Sequence, residues 1–116
     1  MRNENNRIVE LSLEFAIQIA KLCKILQNQK EYNIANQMFR SGTSIGANIR
    51  ESQNSESKAD FIHKLKIAAK EAEETDYWLN ICQKLDLIPS NNQLYDMLIQ
   101  IKKLLNAIIS SCYKNK

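Results

Sequence analysis

Apolar residues return along this chain at intervals of three and four, in four separate blocks. That interval is the repeat of an α-helix with one face turned toward a core. In the first block Ile8, Leu11, Phe15, Ile19, Leu22 and Leu26 share one stripe, while Glu10, Glu14, Gln18, Lys21 and Lys24 fall largely outside it. The pattern predicts a helix from about Asn5 to Asn28, after which Asn28-Gln-Lys-Glu-Tyr32 drops the stripe and reads as a short connection.

The second block, from about Ile34 to Asn54, carries Ile34, Met38, Ser41, Ile45 and then Asn48 or Ile49. Its middle is a run of small residues, Ser41-Gly-Thr-Ser-Ile-Gly-Ala-Asn48. An internal glycine costs a helix about 1 kcal/mol relative to alanine, so propensity alone favours a loop here. The apolar period nevertheless continues through the run, and Gly42 and Gly46 stand four apart on one face. The reading is therefore a helix whose small-residue face admits a second helix at close range.

The third block opens on Ser57-Lys-Ala-Asp60, which has the form of a capping box: a serine N-cap and a carboxylate three residues on. Phe61, Leu65, Ala68, Ala72, Thr75, Leu79 and Cys82 form its inner stripe, with Leu85 as an extension. Pro89 closes the following turn, and Ser90-Asn-Asn-Gln93 reads as a second capping box. The fourth block carries Leu94, Met97 or Leu98, Ile101, Leu104 or Leu105, Ile108 and Cys112, and Lys114-Asn-Lys116 forms a polar end. Leu98, Ile99, Ile101, Leu104, Leu105, Ile108 and Ile109 together cover a broader sector than one seam needs. Either this helix is the most buried of the four or its surplus face serves self-association.

Four amphipathic helices joined by short connections pack as antiparallel neighbours. The expected fold is all-α, an antiparallel up-and-down four-helix bundle, with residues 1–116 forming a single domain. Composition agrees: the apolar set is mainly Leu, Ile and Ala, and there are only two Gly and one Pro. No stretch approaches the roughly 20 apolar residues of a membrane span, and an amphipathic pattern follows the N-terminus where a signal core would be apolar throughout. The expected compartment is the cytoplasm. Cys23, Cys82 and Cys112 lack metal-site spacing and sit among apolar neighbours, as small buried thiols do.

Candidate chemistry is sparse. A di-iron site in such a bundle needs two Glu-x-x-His motifs and two further carboxylates, whereas His63 is the sole histidine and Asp60-x-x-His63 the sole partial match. The serines and cysteines have only His63 as an imidazole base, and Gly42-x-x-x-Gly46 lacks the ending of a phosphate-binding loop. No catalytic site, metal or cofactor is expected.

Charge placement says more. Sixteen basic against thirteen acidic residues leave a net +3, which permits phosphate binding without demanding it. The third helix holds Lys58, Lys64, Lys66 and Lys70 against Asp60 in its first half, then Glu71, Glu73, Glu74, Asp76 and Asp86 against Lys84. A helix dipole favours the opposite order, so the arrangement suggests a basic patch for a phosphate partner or complementary patches between subunits, against the commoner case of a solvated lysine face without a partner. Two further spacings stand out, Asn48 with Glu51 and Glu71 with Glu74, each three apart. About a turn near residues 55–56, antiparallel pairing brings Arg40 level with Glu71, so that either a bridge joins them or all five groups are simply solvated.

The stretch Arg40-Ser-Gly-Thr-Ser-Ile-Gly-Ala-Asn-Ile-Arg-Glu51, followed by Ser57-Lys-Ala-Asp-Phe61 and by Leu65-Lys-Ile-Ala-Ala-Lys-Glu-Ala-Glu-Glu-Thr-Asp-Tyr-Trp-Leu79, resembles the family of 23S rRNA intervening-sequence proteins over nearly the whole chain. One departure is Arg50, where many members carry a small residue such as Ala. The resemblance implies a homo-oligomer, a pentameric ring of bundles without enzymatic activity, encoded by insertions in bacterial 23S rRNA genes. It also implies a relation to the accessory subunit of diversity-generating retroelement reverse transcriptases, where a basic surface is associated with nucleic acid. By motif, Asn48, Glu51, Glu71 and Glu74 would be structural or interfacial, as would Arg40, Gly42 and Gly46 on the reading above.

The expected function is a non-catalytic oligomer that binds RNA or DNA through phosphate contacts, first at Lys58, Lys64 and Lys66 and second at Lys102 and Lys103. The alternative is an interaction scaffold for a protein partner, in which the lysines serve only solubility.

Overall fold

The computed structural model describes residues 2–114, with side chains from Asn6 onward; Met1 and the end of the polar tail, Asn115 and Lys116, lie outside the described residues. Four helices account for nearly all of it: α1 (Arg2–Asn28), α2 (Tyr32–Ser52), α3 (Lys58–Lys84) and α4 (Asn92–Lys114). Each packs along its two neighbours in a closed cycle, α1 with α2, α2 with α3, α3 with α4 and α4 with α1. With short turns between them this is the antiparallel up-and-down four-helix bundle, 49 Å long.

The turns follow from local chemistry. α1 and α3 both end in a Schellman motif: Lys30 and Asp86 take left-handed φ values of 64° and 55°. The N–H groups of Glu31 and Leu87 then reach back to the carbonyls of Leu26 and Cys82, each at 2.9 Å. Ser57 caps α3 by accepting the Asp60 N–H at 3.0 Å, and the Asp60 carboxylate in turn accepts from the Glu56 N–H at 3.4 Å. The cap of α4 is Asn91, whose Oδ1 accepts the Leu94 N–H at 3.0 Å. Sequence predicts Ser90 there; either residue type caps well, and the chain leaving Pro89 enters the helix one residue later.

One core cluster draws on all four helices, with Phe15, Ile19, Met38, Ile45, Leu65, Leu79, Leu98 and Leu105 among its residues. In α2 the stripe ends on the fully buried Ile49; Asn48 is half-buried and donates to the Ser44 carbonyl within its own helix at 2.9 Å. Leu85 departs from expectation: it lies just past α3 and is 62% exposed. The breadth of α4 is largely spent inside the bundle. Leu98, Ile101, Leu105 and Ile108 are buried, Leu104 and Ile109 half-buried, and Ile99 is exposed.

The small-residue run serves the α1–α2 seam. A Cβ placed on Gly42 would come within 2.7 Å of Ile19 Cγ2, and one on Gly46 within 3.3 Å of the Ser12 carbonyl oxygen. The two helices could not approach so closely with larger residues at these positions. The hydroxyls of Thr43 and Ser44 fold back onto the carbonyls of Phe39 and Arg40 in the preceding turn, which satisfies them within a helix that propensity disfavours.

Candidate functional site

Charged residues flank the core stripe of α3 on both sides. Ala72, Thr75 and Leu79 point inward and are fully buried. Glu71, Glu74 and Trp78 occupy the flank toward α2, and Glu73 and Asp76 the flank toward α4. From α2, Arg40 Nη1 meets the two oxygens of Glu71 at 3.1 and 3.4 Å, and Nη2 bonds Glu74. Glu74 also accepts from Trp78 Nε1 at 3.0 Å. These hydrogen bonds, Arg40 first and Trp78 second, hold its carboxyl below the usual range. From α4, Lys102 Nζ reaches Asp76 at 2.8 Å and Glu73 at 3.3 Å. Partial burial opposes the Lys102 charge, but these hydrogen bonds outweigh it and raise its pKa.

This arrangement accounts for much of the reversed charge order along α3. Four of its late acids are acceptors for cations on the neighbouring helices, an intrachain reason of which the sequence reading anticipates only the Arg40–Glu71 contact. The Lys102 partners could have been found by extending across the α3–α4 turn the antiparallel register that places Arg40 beside Glu71.

The early lysines of α3 lie elsewhere. Antiparallel topology puts the start of α3, the end of α2 and the end of α4 at one end of the bundle, so Arg50, Lys58, Lys64, Lys66 and Lys114 share that end with the acids Glu51, Glu56 and Asp60. Lys64 pairs with the exposed Glu51 at 3.2 Å. Lys66 sits over the Tyr113 ring, 5.2 Å from its centroid. Lys102 and Lys103 lie in mid-α4 beside the acid flank; Lys103 is exposed. Of the phosphate-binding candidates, then, Lys58, Lys64 and Lys66 are gathered at one end and Lys102 and Lys103 are set apart from them.

Arg40, Glu51, Glu71 and Glu74 join α2 to α3, whereas Gly42 and Gly46 join α2 to α1. On the outside of that second seam Val9, Leu13, Ala16, Ala47 and Arg50 border an apolar hollow of about 190 Å³, with Leu13, Ile17 and Phe39 exposed nearby on the two helices.

Burial, and to a lesser degree nearby negative charge, pushes the thiols of Cys23 and Cys82 up to about 11, so both stay protonated and weakly nucleophilic at neutral pH. Among the described residues no three His, Cys, Asp or Glu side chains cluster as metal ligands, and no helix is long and apolar enough to cross a membrane.

The family model described as 23S rRNA-intervening sequence protein matches residues 4–107. Among solved structures, a protein of unknown function from the S23 ribosomal protein family of Bacteroides thetaiotaomicron VPI-5482 superposes with a TM-score of 0.85 at 44% identity, the match covering 92% of this chain and 98% of that one. No curated protein matches.

Proposed function

This chain belongs to the 23S rRNA-intervening sequence protein family, and we propose that it acts as a non-catalytic, homo-oligomeric bundle that binds RNA or DNA through phosphate contacts at its basic end. The observation that carries the reading is the surplus of basic over acidic side chains at one end of the bundle. Arg40 and Lys102 engage four acids of α3, while Lys58, Lys64 and Lys66 gather with Arg50 and Lys114 at one end. Lys64 belongs in the set despite its bond to Glu51, which is 59% exposed. A surface pair of this kind contributes about 0–1 kcal/mol and exchanges readily for a phosphate. Lys102, held by two acids, is the weaker candidate, and the exposed Lys103 is a separate one in mid-α4.

Assembly, a pentameric ring in this proposal, is supported by the exposed Leu13, Ile17 and Phe39 beside the α1–α2 hollow, because apolar surface grouped on a small bundle favours burial against another chain. The same surface supports the second reading, a scaffold that docks a protein partner and leaves nucleic acid to that partner.

The test is binding of the purified, nuclease-treated protein to structured RNA and duplex DNA across a salt series. Affinity that falls steeply with salt, and less steeply for a Lys64→Glu/Lys66→Glu variant, is the expected result. Absence of binding at low salt would refute direct nucleic-acid contact and put the scaffold first. Native mass spectrometry of the same sample measures subunit number.

A further inference from the structure

Where the start of α3 passes the end of α4, Ala59, Ile62, His63, Lys66 and Tyr113 line an open hollow of about 310 Å³. Ala59 and Ile62 make part of its wall apolar, and His63 and Lys66, one turn apart on α3, supply nitrogen groups. Tyr113 contributes an aromatic ring that is 49% exposed, with the Lys66 ammonium lying over it. The acid of the first α3 turn, Asp60, is engaged by the Glu56 N–H and by its place in the Ser57 cap.

We propose that this hollow binds one unpaired nucleotide of single-stranded RNA, with the base on the Tyr113 ring and the adjoining phosphate on Lys66. The proposal rests on the nucleic-acid reading above and adds the part of the ligand that phosphate contacts leave undefined. A cation held over an aromatic face is a weak surface contact, so an incoming nucleotide can displace it. The base then takes the ring face, and the flexible Lys66 stem carries its charge to the phosphate. Bases in a duplex already stack on one another, so a ring offered in an open hollow selects a base that is free of its neighbours. The volume lies at the low end of the roughly 300–1,000 Å³ of small-molecule sites, which suits a single base. His63 borders the hollow, and its imidazole is a group able to hydrogen-bond the 2′-hydroxyl that DNA lacks.

The experiment compares a short unstructured oligouridylate, a duplex RNA of equal length and the matching deoxyribo-oligonucleotide by fluorescence anisotropy at several salt concentrations. Tyr113→Leu is expected to weaken the single strand about tenfold or more and leave the duplex unchanged, and Tyr113→Phe to retain wild-type affinity. Thermal melting monitors the fold of each variant. Photo-cross-linking of 4-thiouridine RNA to the unaltered protein, expected on the peptide containing Tyr113, reads the site without any substitution. Salt-sensitive RNA binding that ignores Tyr113→Leu, with cross-links elsewhere, would overturn this site and leave the broader function standing. Equal affinity for the deoxyribo-oligonucleotide would overturn the assignment to RNA. Loss of all salt-sensitive binding in the unaltered protein would remove the broader function, and this site with it.

Discussion

Thr75 Oγ1 on α3 and Ser41 Oγ on α2 share a hydrogen bond of 2.9 Å in a region where both residues are fully buried. Thr75 also lies 2.8 Å from the Glu71 carbonyl of its own helix. Since a hydroxyl has one proton, the Glu71 carbonyl takes that of Thr75 and Ser41 donates across the seam. The pair therefore ties α2 to α3 through groups that have no water to turn to. Thr75→Val should destabilise the bundle by about 1–2 kcal/mol in urea denaturation, because Ser41 is left with only the Met38 carbonyl at 3.5 Å. Adding Ser41→Ala should cost much less than a second loss of that size. Strictly additive single and double variants would show that the two hydroxyls are not coupled.

Gly42 and Gly46 set the distance between α1 and α2. A methyl group at Gly42 meets Ile19 Cγ2 at 2.7 Å, and Ile19 is fully buried with little room to turn. Alanine recovers about 1 kcal/mol of helix propensity, against an overpacking cost of about 1–3 kcal/mol. Gly42→Ala should thus lower stability on balance. Gly46→Leu, which drives a larger side chain toward the Ser12 backbone, should lower it further and change the oligomer mass if this seam supports assembly. Unchanged melting for both variants would refute the close-approach role.

Acid sensitivity should depend on Glu74. Hydrogen bonds from Arg40 and Trp78 place its folded pKa below the reference value of 4.5. A group depressed in this way contributes stability above the unfolded pKa, and the contribution disappears as pH falls through the folded one. Denaturant midpoints measured from neutral pH into the acid range should fall less for Glu74→Gln than for the unaltered protein. Parallel curves would remove Glu74 from the acid response. Since the carboxylate is 35% exposed, the effect is small and salt-dependent.

The cysteines should separate by reactivity. Cys23 and Cys82 are buried and their pKa values rise from 9.0 to about 11, whereas Cys112 is half-buried near the end of α4. A thiol-specific reagent should modify Cys112 first and reach the other two only on unfolding. For the buried pair the sign is opposite to that of Glu74. The favourable burial of neutral thiols is complete below pH 9.0 and is lost as pH climbs toward about 11. Rapid native labelling of Cys23 would contradict the tightness of the α1–α2 seam.

The sequence by itself determined the helices and much of their core faces, because burial on one side imposes a three-to-four repeat that survives even the glycine run of α2. It also determined the Ser57 cap, and the Arg40–Glu71 contact through antiparallel register about a short turn. Tertiary structure decided what the remaining surfaces meet. Only the packed bundle places Ile19 and Ser12 against the two glycines and Lys66 over Tyr113. It also buries most of the apolar breadth of α4, which sequence left open between core and interface. The physical reason is range. Helix periodicity and caps arise among residues within four positions of each other. Which flank of a helix faces which neighbour depends on the packing angles of all four helices together, and no local interval along the chain records them.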